Sequence, residues 1–249
     1  LHSGQHGGLA FNPLQALVAL LAQLWDGNRK VRVPQFYAAV KKMTTAAKAQ
    51  INWQFDIEKY RRTFGIGVMG GEKQYPALFA NWIRPTLEIN GLSGGYAGPG
   101  FKSVIPAKAK AKLSCRLVPN QDPALIGRQI AAYLKQKAEK GMRLRITMGQ
   151  AARAVRSSLN MPLARAVYES YSAVFHSPCR KIFSGASVPI IAELSDALNC
   201  KVVMMGVGVP TDNVHAPNEH FALERFKKGF LIVVKTLEKF ERYAKKTRA

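Results

Sequence analysis

Hydrophobic residues recur at helical spacing near the start of the sequence. Asn12 and Pro13 suit the N-cap and the first position of a helix, since an Asn side chain accepts a hydrogen bond there and proline has no N–H to leave unpaired. The apolar positions that follow repeat every three or four residues and are Leu14, Leu17, Val18, Leu21 and Trp25. The pattern predicts a helix that ends at the turn-forming residues 26–28.

Further along the chain, apolar residues recur at every second position. Alternation over 108–118 predicts a strand, and a second strand is predicted over 82–90, with a glycine-rich connection over 91–100. Asp122 suits the N-cap of a helix over 123–139, and a third strand is predicted over 142–148. Residues 34–80 are less regular, with short helices predicted over 36–43 and 57–64. The order describes an α+β layer with one open sheet face.

A second unit begins after about residue 149. Helical patterns cover 163–175 and 186–198, an apolar strand is predicted over 201–207, and a long amphipathic helix is predicted from Glu219 to about Lys245. The predicted organisation is therefore an α+β domain over 1–148 followed by an α/β segment over 149–249.

Composition excludes two classes of protein and leaves one unusual feature. Apolar residues make up 47% of the 249 residues and charged residues 21%, which argues against disorder. No apolar run is long enough to span a membrane. The three cysteines lack metal-type spacing, which favours a reducing compartment. The formal net charge of +22 is high. The sequence opens within a motif, so we expect it to be part of a longer protein.

His215 is a candidate metal ligand. It follows the predicted strand 201–207, where α/β sheets place ligand-binding groups, and it has Asp212 three residues before it and Glu219 four after it. Neighbouring carboxylates can fix the tautomer of an imidazole for metal binding. The alternative is a surface histidine beside a helix that Asn218 caps.

Three further segments carry candidate chemistry. His2 lies among glycines, where an imidazole could polarise a carbonyl, although a mobile chain end fits the composition as well. Arg116 ends the polar side of the predicted strand 108–118 and could bind a carboxylate or be a solvated arginine. The Ser184–Pro189 segment could bind an anion at a helix N-terminus or be an ordinary helix start.

Four segments together resemble the M20 family of dinuclear zinc metallopeptidases, which contains carnosinases, aminoacylases and succinyl-diaminopimelate desuccinylases, and they resemble its dipeptidase branch most. The segments occur in the family's order and are LHSGQHGG at the start, GFKSVIPAKAKAKLSCRLVPNQDP at 100–123, SGASVPI at 184–190 and NVHAPNE at 213–219.

The resemblance implies a fold and roles for particular residues. Residues 1–148 would form the lid, or dimerisation, domain and residues 149–249 the C-terminal part of the α/β catalytic domain. His215 matches the family's last zinc ligand. His2 matches a lid histidine that reaches into the active site of a second copy to stabilise the oxyanion. Arg116 matches the arginine that holds the substrate carboxylate.

The resemblance also implies substrate-binding residues at positions where this sequence departs from the family. Ser103 stands where a threonine is usual. Gly185, Ala186 and Ser187 take the place of a Gly-Gly-Ser loop that binds anions. Phe183 and Ser184 stand where the dipeptidase branch often has an Arg-Glu pair.

The resemblance implies hydrolysis of peptide or amide bonds in small substrates, with two zinc ions in a complete site. This chain would supply at most one zinc ligand, because the other ligands and the general base belong to an N-terminal half outside this sequence. A catalytic zinc needs at least three protein ligands, so the chain alone is expected to be inactive. The expected partners are a second copy or the missing half, in the cytoplasm.

The alternative is a hydrolase remnant recruited as a basic structural subunit of an RNA-rich assembly, such as an organellar ribosome in the mitochondrial or another organellar matrix. The net charge favours it, because neutralising phosphates gives sequence-independent affinity. The cations of the last helical segment outnumber Glu224, Glu238 and Glu241 and are Arg225, Lys227, Lys228, Lys235, Lys239, Arg242, Lys245, Lys246 and Arg248. No nucleic-acid motif accompanies them.

Overall fold

A computed structural model describes residues 1–49, 51, 53–185 and 188–248. In chain order the helices are α1 (Ser3–His6), α2 (Pro13–Ala22), α3 (Thr45–Ala49), α4 (Ile57–Phe64), α5 (Ala77–Trp82), α6 (Pro123–Lys137), α7 (Pro162–Phe175), α8 (Pro189–Ala197) and α9 (Leu223–Arg248). The strands are β1 (Thr86–Gly94) and β2 (Ala109–Arg116), and a 3₁₀ turn covers Pro210–Asp212.

The chain divides into two compact units. The first comprises Leu1–Lys42, Val68–Ala154 and Phe183–Pro189. The second comprises Met43–Gly67, Val155–Ile182 and Ile190–Ala249. The assignment of 1–148 to a lid and of 149–249 to the catalytic part stays a prediction.

Helix α2 begins where the sequence predicts. The Asn12 side-chain oxygen accepts hydrogen bonds from the backbone N–H groups of Leu14 and Gln15, at 3.1 and 3.3 Å. The helix ends at Ala22, three residues before the predicted end. Its buried face is Ala16, Leu17, Leu20 and Leu21. Val18 was predicted to lie on this face but is 48% exposed.

Strands β1 and β2 form an antiparallel pair that runs from Thr86 opposite Arg116 to Gly94 opposite Ala109, with a bulge between Ile89 and Gly91. The alternation predicted for β2 is confirmed, because every second residue from Ala109 to Leu117 packs against the core of the first unit. That core also takes residues from α2 and from α6, whose predicted cap Asp122 accepts from Ala124 N at 2.8 Å. The lysines between the core residues of β2 are exposed.

The strand predicted over 82–90 was wrong at its start. Residues 77–82 are helical, and β1 begins only at Thr86 and continues to Gly94. Pro85 explains the boundary, because a proline disfavours helical geometry at the residue before it and cannot itself donate to the helix. The apolar residues Trp82 and Ile83 are buried at the end of α5. A short apolar run is equally typical of a buried strand, so their hydrophobicity alone does not distinguish strand from helix.

Two other predictions for the first unit were wrong. Residues 36–39 form turns and no helix is assigned over 36–43, since Ala38 N donates to Gln35 O and Val40 N donates to Tyr37 O, three residues back, where an α-helix bonds four residues back. Residues 142–148 are not assigned to a strand. Met142, Leu144 and Ile146 nevertheless pack against the core at every second position, so the segment keeps the side-chain alternation without the ladder.

A buried ion pair lies in the first unit. Arg84 donates from Nε and Nη2 to the two carboxylate oxygens of Glu72, at 2.8 and 3.2 Å. The side chains are 11% and 5% exposed. The Arg84 guanidinium also lies 4.4 Å from the centre of the Tyr37 ring and 4.6 Å from that of Tyr75. Burial, with Glu72 as a further cause, raises the pKa of Tyr37 to about 12.

Helices α7 and α9 pack together in the second unit. Ile232 on α9 and Ser170 on α7 are fully buried. Glu169 on α7 accepts hydrogen bonds from Tyr243 at 2.6 Å and from Lys239 at 3.3 Å, and it also pairs with Arg165 on its own helix. The hydrogen bond from Tyr243, followed by that from Arg165, lowers the pKa of Glu169 to about 2.

The other predictions for the second unit met mixed outcomes. Helices α4 and α7 confirm the predicted patterns over 57–64 and 163–175. Helix α9 begins at Leu223 and not at Glu219. Residues 201–207 were predicted to be a buried strand, but they are not assigned to a strand and Met204 is 51% exposed. Apolar residues alone do not make a strand, because a strand needs a partner for its backbone hydrogen bonds.

Candidate functional site

His2 lies at the start of the first unit, where the chain bridges to residue 104. Ile105 N donates to Leu1 O at 2.8 Å and Ser3 N donates to Ser103 O at 2.9 Å, so His2 and Val104 form an antiparallel bridge. The His2 side chain is exposed. The structure therefore brings two predicted site residues, His2 and Ser103, onto adjacent stretches of backbone.

The His2 ring has a defined tautomer when neutral. Its Nδ1 accepts a hydrogen bond from Gly4 N at 3.1 Å and caps α1. An accepting Nδ1 leaves the proton on Nε2, so Nε2 is the donor of the neutral ring. A Cβ at residue 4 would lie 2.9 Å from His2 Cε1, so a larger residue here would displace the ring from this position. The ring can thus offer an N–H donor to a ligand.

Arg116 and Gly185 lie elsewhere in the first unit. Arg116 is exposed at the end of β2, opposite Thr86. A Cβ at Gly185 would lie 3.0 Å from the carbonyl oxygen of Asn81, so the backbone of this segment closely approaches the end of α5. Ala186 and Ser187 lie outside the described residues. The first unit therefore contains His2, Ser103, Arg116 and Gly185.

His215 lies in the second unit, on the loop before α9. It adopts a left-handed φ of 63°, and its backbone N donates to Glu219 Oε2 at 3.3 Å. Its side chain is exposed. Asn218 was the alternative helix cap, but α9 begins five residues later, at Leu223. The loop is therefore not the first turn of the helix.

The carboxylates that flank His215 do not have the predicted role of orienting its ring. Asp212 is 3% exposed, and Arg225 Nη1 donates to its Oδ2 at 2.7 Å while Arg225 Nη2 donates to its Oδ1. Val209 N donates to Oδ2 as well, at 2.9 Å. The hydrogen bond from Arg225, followed by that from Val209, lowers the pKa of Asp212 to about 2. Glu219 binds the backbone of His215.

The described residues do not fit a dinuclear metal site. Within the part of the chain that the structure describes, no three His, Cys, Asp or Glu residues converge to hold a metal ion. His215 is a single imidazole, and the nearest carboxylate along the chain, Asp212, is already bound on both oxygens by Arg225. A catalytic zinc requires three protein ligands, so a metal site cannot be formed from these residues alone.

Arg225 is a residue that sequence reasoning did not single out for this site. Its only signal in the sequence is a position near the start of the predicted last helix, among many other cations. The partner that distinguishes it is Asp212, thirteen residues earlier. A pairing over that separation depends on the path of the loop and has no periodic signature.

The comparison with known families decides the ancestry. Residues 1–142 match the family model of the M20 peptidase dimerisation domain. The chain belongs to this family. The match covers the segment that contains His2, Ser103 and Arg116, and it confirms the resemblance on which the site prediction rests.

Two curated relatives that match the chain are dipeptidases. The chain is 28% identical to the beta-Ala-His dipeptidase of Rattus norvegicus over 222 residues, which are 88% of this chain and 45% of the relative. It is 27% identical to the Cys-Gly metallodipeptidase DUG1 of Saccharomyces cerevisiae over 248 residues, which are 98% of this chain and 50% of the relative. The chain thus spans about half the length of these relatives.

Solved structures of the family share the fold. The dipeptidase Dug1p of Saccharomyces cerevisiae matches with a TM-score of 0.84 at 26% identity, covering 97% of this chain and 51% of that one. The M20 family metallo-carboxypeptidase Sso-CP2 of Sulfolobus solfataricus matches with a TM-score of 0.84 at 28% identity, covering 96% and 55%. The mixed α/β fold class is confirmed.

The comparisons favour the predicted hydrolase over the predicted subunit of an RNA-rich assembly. They support a dipeptidase-like hydrolase with a metal cofactor, which is zinc by family resemblance, and a dimerisation domain. They give no support to a ribosomal or RNA-binding role. Among the described residues, no helix is both long enough and apolar enough to cross a membrane.

Proposed function

We propose that these 249 residues form the dimerisation lid and the C-terminal catalytic segment of a metal-dependent dipeptidase-like hydrolase. The observation that carries the proposal is that metallodipeptidases match 88–98% of this chain while only about half of their own length is matched. The substrate is a small peptide with a free carboxylate. The metal, the remaining ligands and the general base come from outside these residues.

The lid supplies two groups that act on the substrate. His2 donates from Nε2 to the oxygen that becomes negatively charged when the scissile carbonyl is attacked, and the Gly4 N–H on Nδ1 supports this tautomer. Arg116 holds the substrate carboxylate, for which its planar fork is suited. Ser103 and the 185–187 loop assist in binding the substrate. His2 acts on the active site of a second copy, so the working form is a homodimer.

The surface of α9 supports completion by another polypeptide segment. Ile232 faces α7, but Phe226 and Phe230 on the opposite side of α9 are each 67% exposed, and Leu237 is 63% exposed. A continuous apolar stripe of this kind indicates a covered surface. A Cβ at Gly229 would lie 3.2 Å from Val207, so the end of the segment 201–207, which is not assigned to a strand, lies against the same helix. A segment that contributes strands would cover both.

That occupant is the half of the hydrolase that the relatives contain and these residues do not match. A photo-crosslinking residue at Phe230, in the protein within its native source, should form crosslinks to a polypeptide segment with M20-type metal ligands, as identified by mass spectrometry. The same residue at Lys235, on the charged side of α9, is the matched control. Crosslinks from Phe230 to a second copy of α9 would contradict this assignment.

Activity is tested on the protein purified from its native source. Hydrolysis of dipeptides should require a bound divalent metal, and replacing His2 by alanine should lower kcat by about 100-fold to 1,000-fold, as for loss of an oxyanion donor. His6→Ala is the control, since His6 lies on α1 four residues away. Absence of metal and of dipeptide hydrolysis would refute the proposed function.

The carboxylate role of Arg116 has its own test. Arg116→Met should raise KM by roughly 10-fold to 100-fold for free dipeptides, which corresponds to one charge-assisted hydrogen-bonding contact. It should have little effect on dipeptide amides, which lack the carboxylate. Lys112→Met, on the same exposed face of β2, is the control. An equal effect on both substrate types would contradict the role.

A further inference from the structure

Three residues of the loop that carries His215 adopt a left-handed backbone conformation. Asn213, His215 and Asn218 all adopt left-handed φ angles, of 57°, 63° and 60°. The left-handed region is uncommon for residues with a Cβ, although asparagine and histidine enter it more readily than most. Such conformations persist only where the surrounding structure fixes them, and they cluster at functional sites.

The loop itself provides few of the contacts that fix it. Ala216 N donates to Asn213 O at 2.8 Å, and His215 N donates to Glu219 Oε2 at 3.3 Å. The side chains of 213–220 are all exposed, so packing contributes little. The restraint must therefore come from the base of the loop.

The base of the loop is held by Asp212. Its backbone N donates to Val209 O at 3.0 Å, and its carbonyl oxygen accepts from His220 N at 3.0 Å, which ties the beginning of the loop to its end. Its buried carboxylate accepts from Val209 N. One residue thus connects the segment before the loop with the segment after it.

Arg225 completes the connection from the first turn of α9. Its guanidinium donates to both carboxylate oxygens of Asp212, and Nη1 also donates to Val207 O at 3.0 Å. It lies 4.8 Å from the centre of the Phe221 ring. A bidentate guanidinium–carboxylate pair restricts orientation as well as distance, which a single-point contact does not.

We propose that the Asp212–Arg225 pair is a clamp that fixes the loop 213–219 and thereby positions His215. Asp212 and Arg225 are positioning residues, since neither would contact the substrate. The functional part of this inference rests on the proposed function of the chain, in which His215 contributes to the active site. The structural part, that the pair holds the loop, stands on the hydrogen bonds alone.

The structural part is tested by hydrogen–deuterium exchange of the full chain. Arg225→Met should increase amide exchange within 213–219 by roughly ten-fold or more, because the loop then opens locally. Arg225→Lys retains the charge but not the fork and should give an intermediate increase. Glu169→Gln, which weakens the ion pair between Glu169 on α7 and Lys239 on α9 in the same unit, is the control and should leave amide exchange within 213–219 unchanged.

The functional part is tested on the hydrolase from its native source. Asp212→Asn and Arg225→Met should lower kcat by at least ten-fold with little change in KM, and Arg225→Lys should recover part of the loss. Unchanged exchange in 213–219 would overturn the clamp. Faster exchange with unchanged kcat would overturn its positioning role. If the unsubstituted protein hydrolyses no dipeptide, the proposed function fails while the exchange result still decides the clamp.

Discussion

Removing Arg84 should strongly destabilise the first unit. Glu72 is almost fully buried and accepts from Arg84 and from the Gln74 amide at 3.2 Å, with a further hydrogen bond to the Tyr37 hydroxyl. Arg84→Met would therefore leave a buried carboxylate with neutral donors only. Breaking a buried pair by removing one partner costs about 3–5 kcal/mol, and loss of the guanidinium stacked between Tyr37 and Tyr75 adds about 1 kcal/mol.

A double variant distinguishes the cost of a buried unpaired charge from the cost of lost packing. With Glu72→Met added to Arg84→Met, no charge is left without a partner, and replacement of a buried ion pair by apolar side chains is often neutral. We expect the double variant to be within about 1.5 kcal/mol of the original protein, because the stacking on the tyrosines is still lost. The decisive quantity is the free energy of unfolding that is recovered when Glu72→Met is added to Arg84→Met.

Urea unfolding followed by tryptophan fluorescence measures both variants. A Trp53→Phe background leaves Trp25 and Trp82 as reporters, and both belong to the first unit. With an m-value of about 2 kcal/mol/M, a loss of about 4 kcal/mol lowers the midpoint by about 2 M. A loss below about 1 kcal/mol in Arg84→Met, or a double variant no more stable than the single one, would refute the reasoning.

Four further outcomes follow from the structure. The low pKa of Asp212 means that its ionised carboxylate should stabilise the second unit above pH 4 and that this stability should be lost as the pH falls toward 2. Unfolding followed by circular dichroism should show that the stability of Asp212→Asn depends less on pH in that range. The raised pKa of Tyr37 means that stability should be lost as the pH rises from 10 to 12, and absorbance at 295 nm should show one late-titrating phenol fewer in Tyr37→Phe, where Tyr171 keeps its raised pKa. Burial raises the pKa of Cys115 to about 11, so at pH 8 it should react with iodoacetamide roughly 100-fold more slowly than a free thiol, while the exposed Cys200 reacts first; mass spectrometry showing equal rates would contradict this. Asn12→Ala should cost about 1 kcal/mol in urea unfolding, and an unchanged midpoint would argue against the cap.

Local chemistry predicted most of the helices. The caps Asn12 and Asp122 both accept from the N–H groups expected of them, because capping involves residues two or three positions apart. The period of two in β2 is likewise a local property. The predictions for residues 36–43 and 82–85 failed because turn hydrogen bonds to residues three positions back and the Pro85 boundary decided between conformations for which the apolar pattern is the same.

The candidate site was predictable as a set of residues but not as an arrangement. His2, Ser103, Arg116 and His215 were found because they lie in recognisable segments, and the family match over 1–142 confirms the origin of the two segments that contain His2, Ser103 and Arg116. That His2 bridges to Val104, beside Ser103, is a contact over about one hundred residues and was not foreseen. Nor was the pairing of Asp212 with Arg225.

The sequence by itself determined the family, the fold class, the principal helices and the residues with chemical potential. These depend on residue identity and on spacings of a few positions, which are written directly in the chain. Only the tertiary structure decided which hydrogen-bond partner each polar group has. Asp212 binds Arg225 and does not bind the His215 ring. The Gly4 N–H on Nδ1 of His2 leaves Nε2 as the donor of the neutral ring. Residues 201–207 are not assigned to a strand. Hydrogen-bond partners are decided by the path of the chain in space, because a donor and an acceptor must meet within about 3 Å wherever they stand in the sequence.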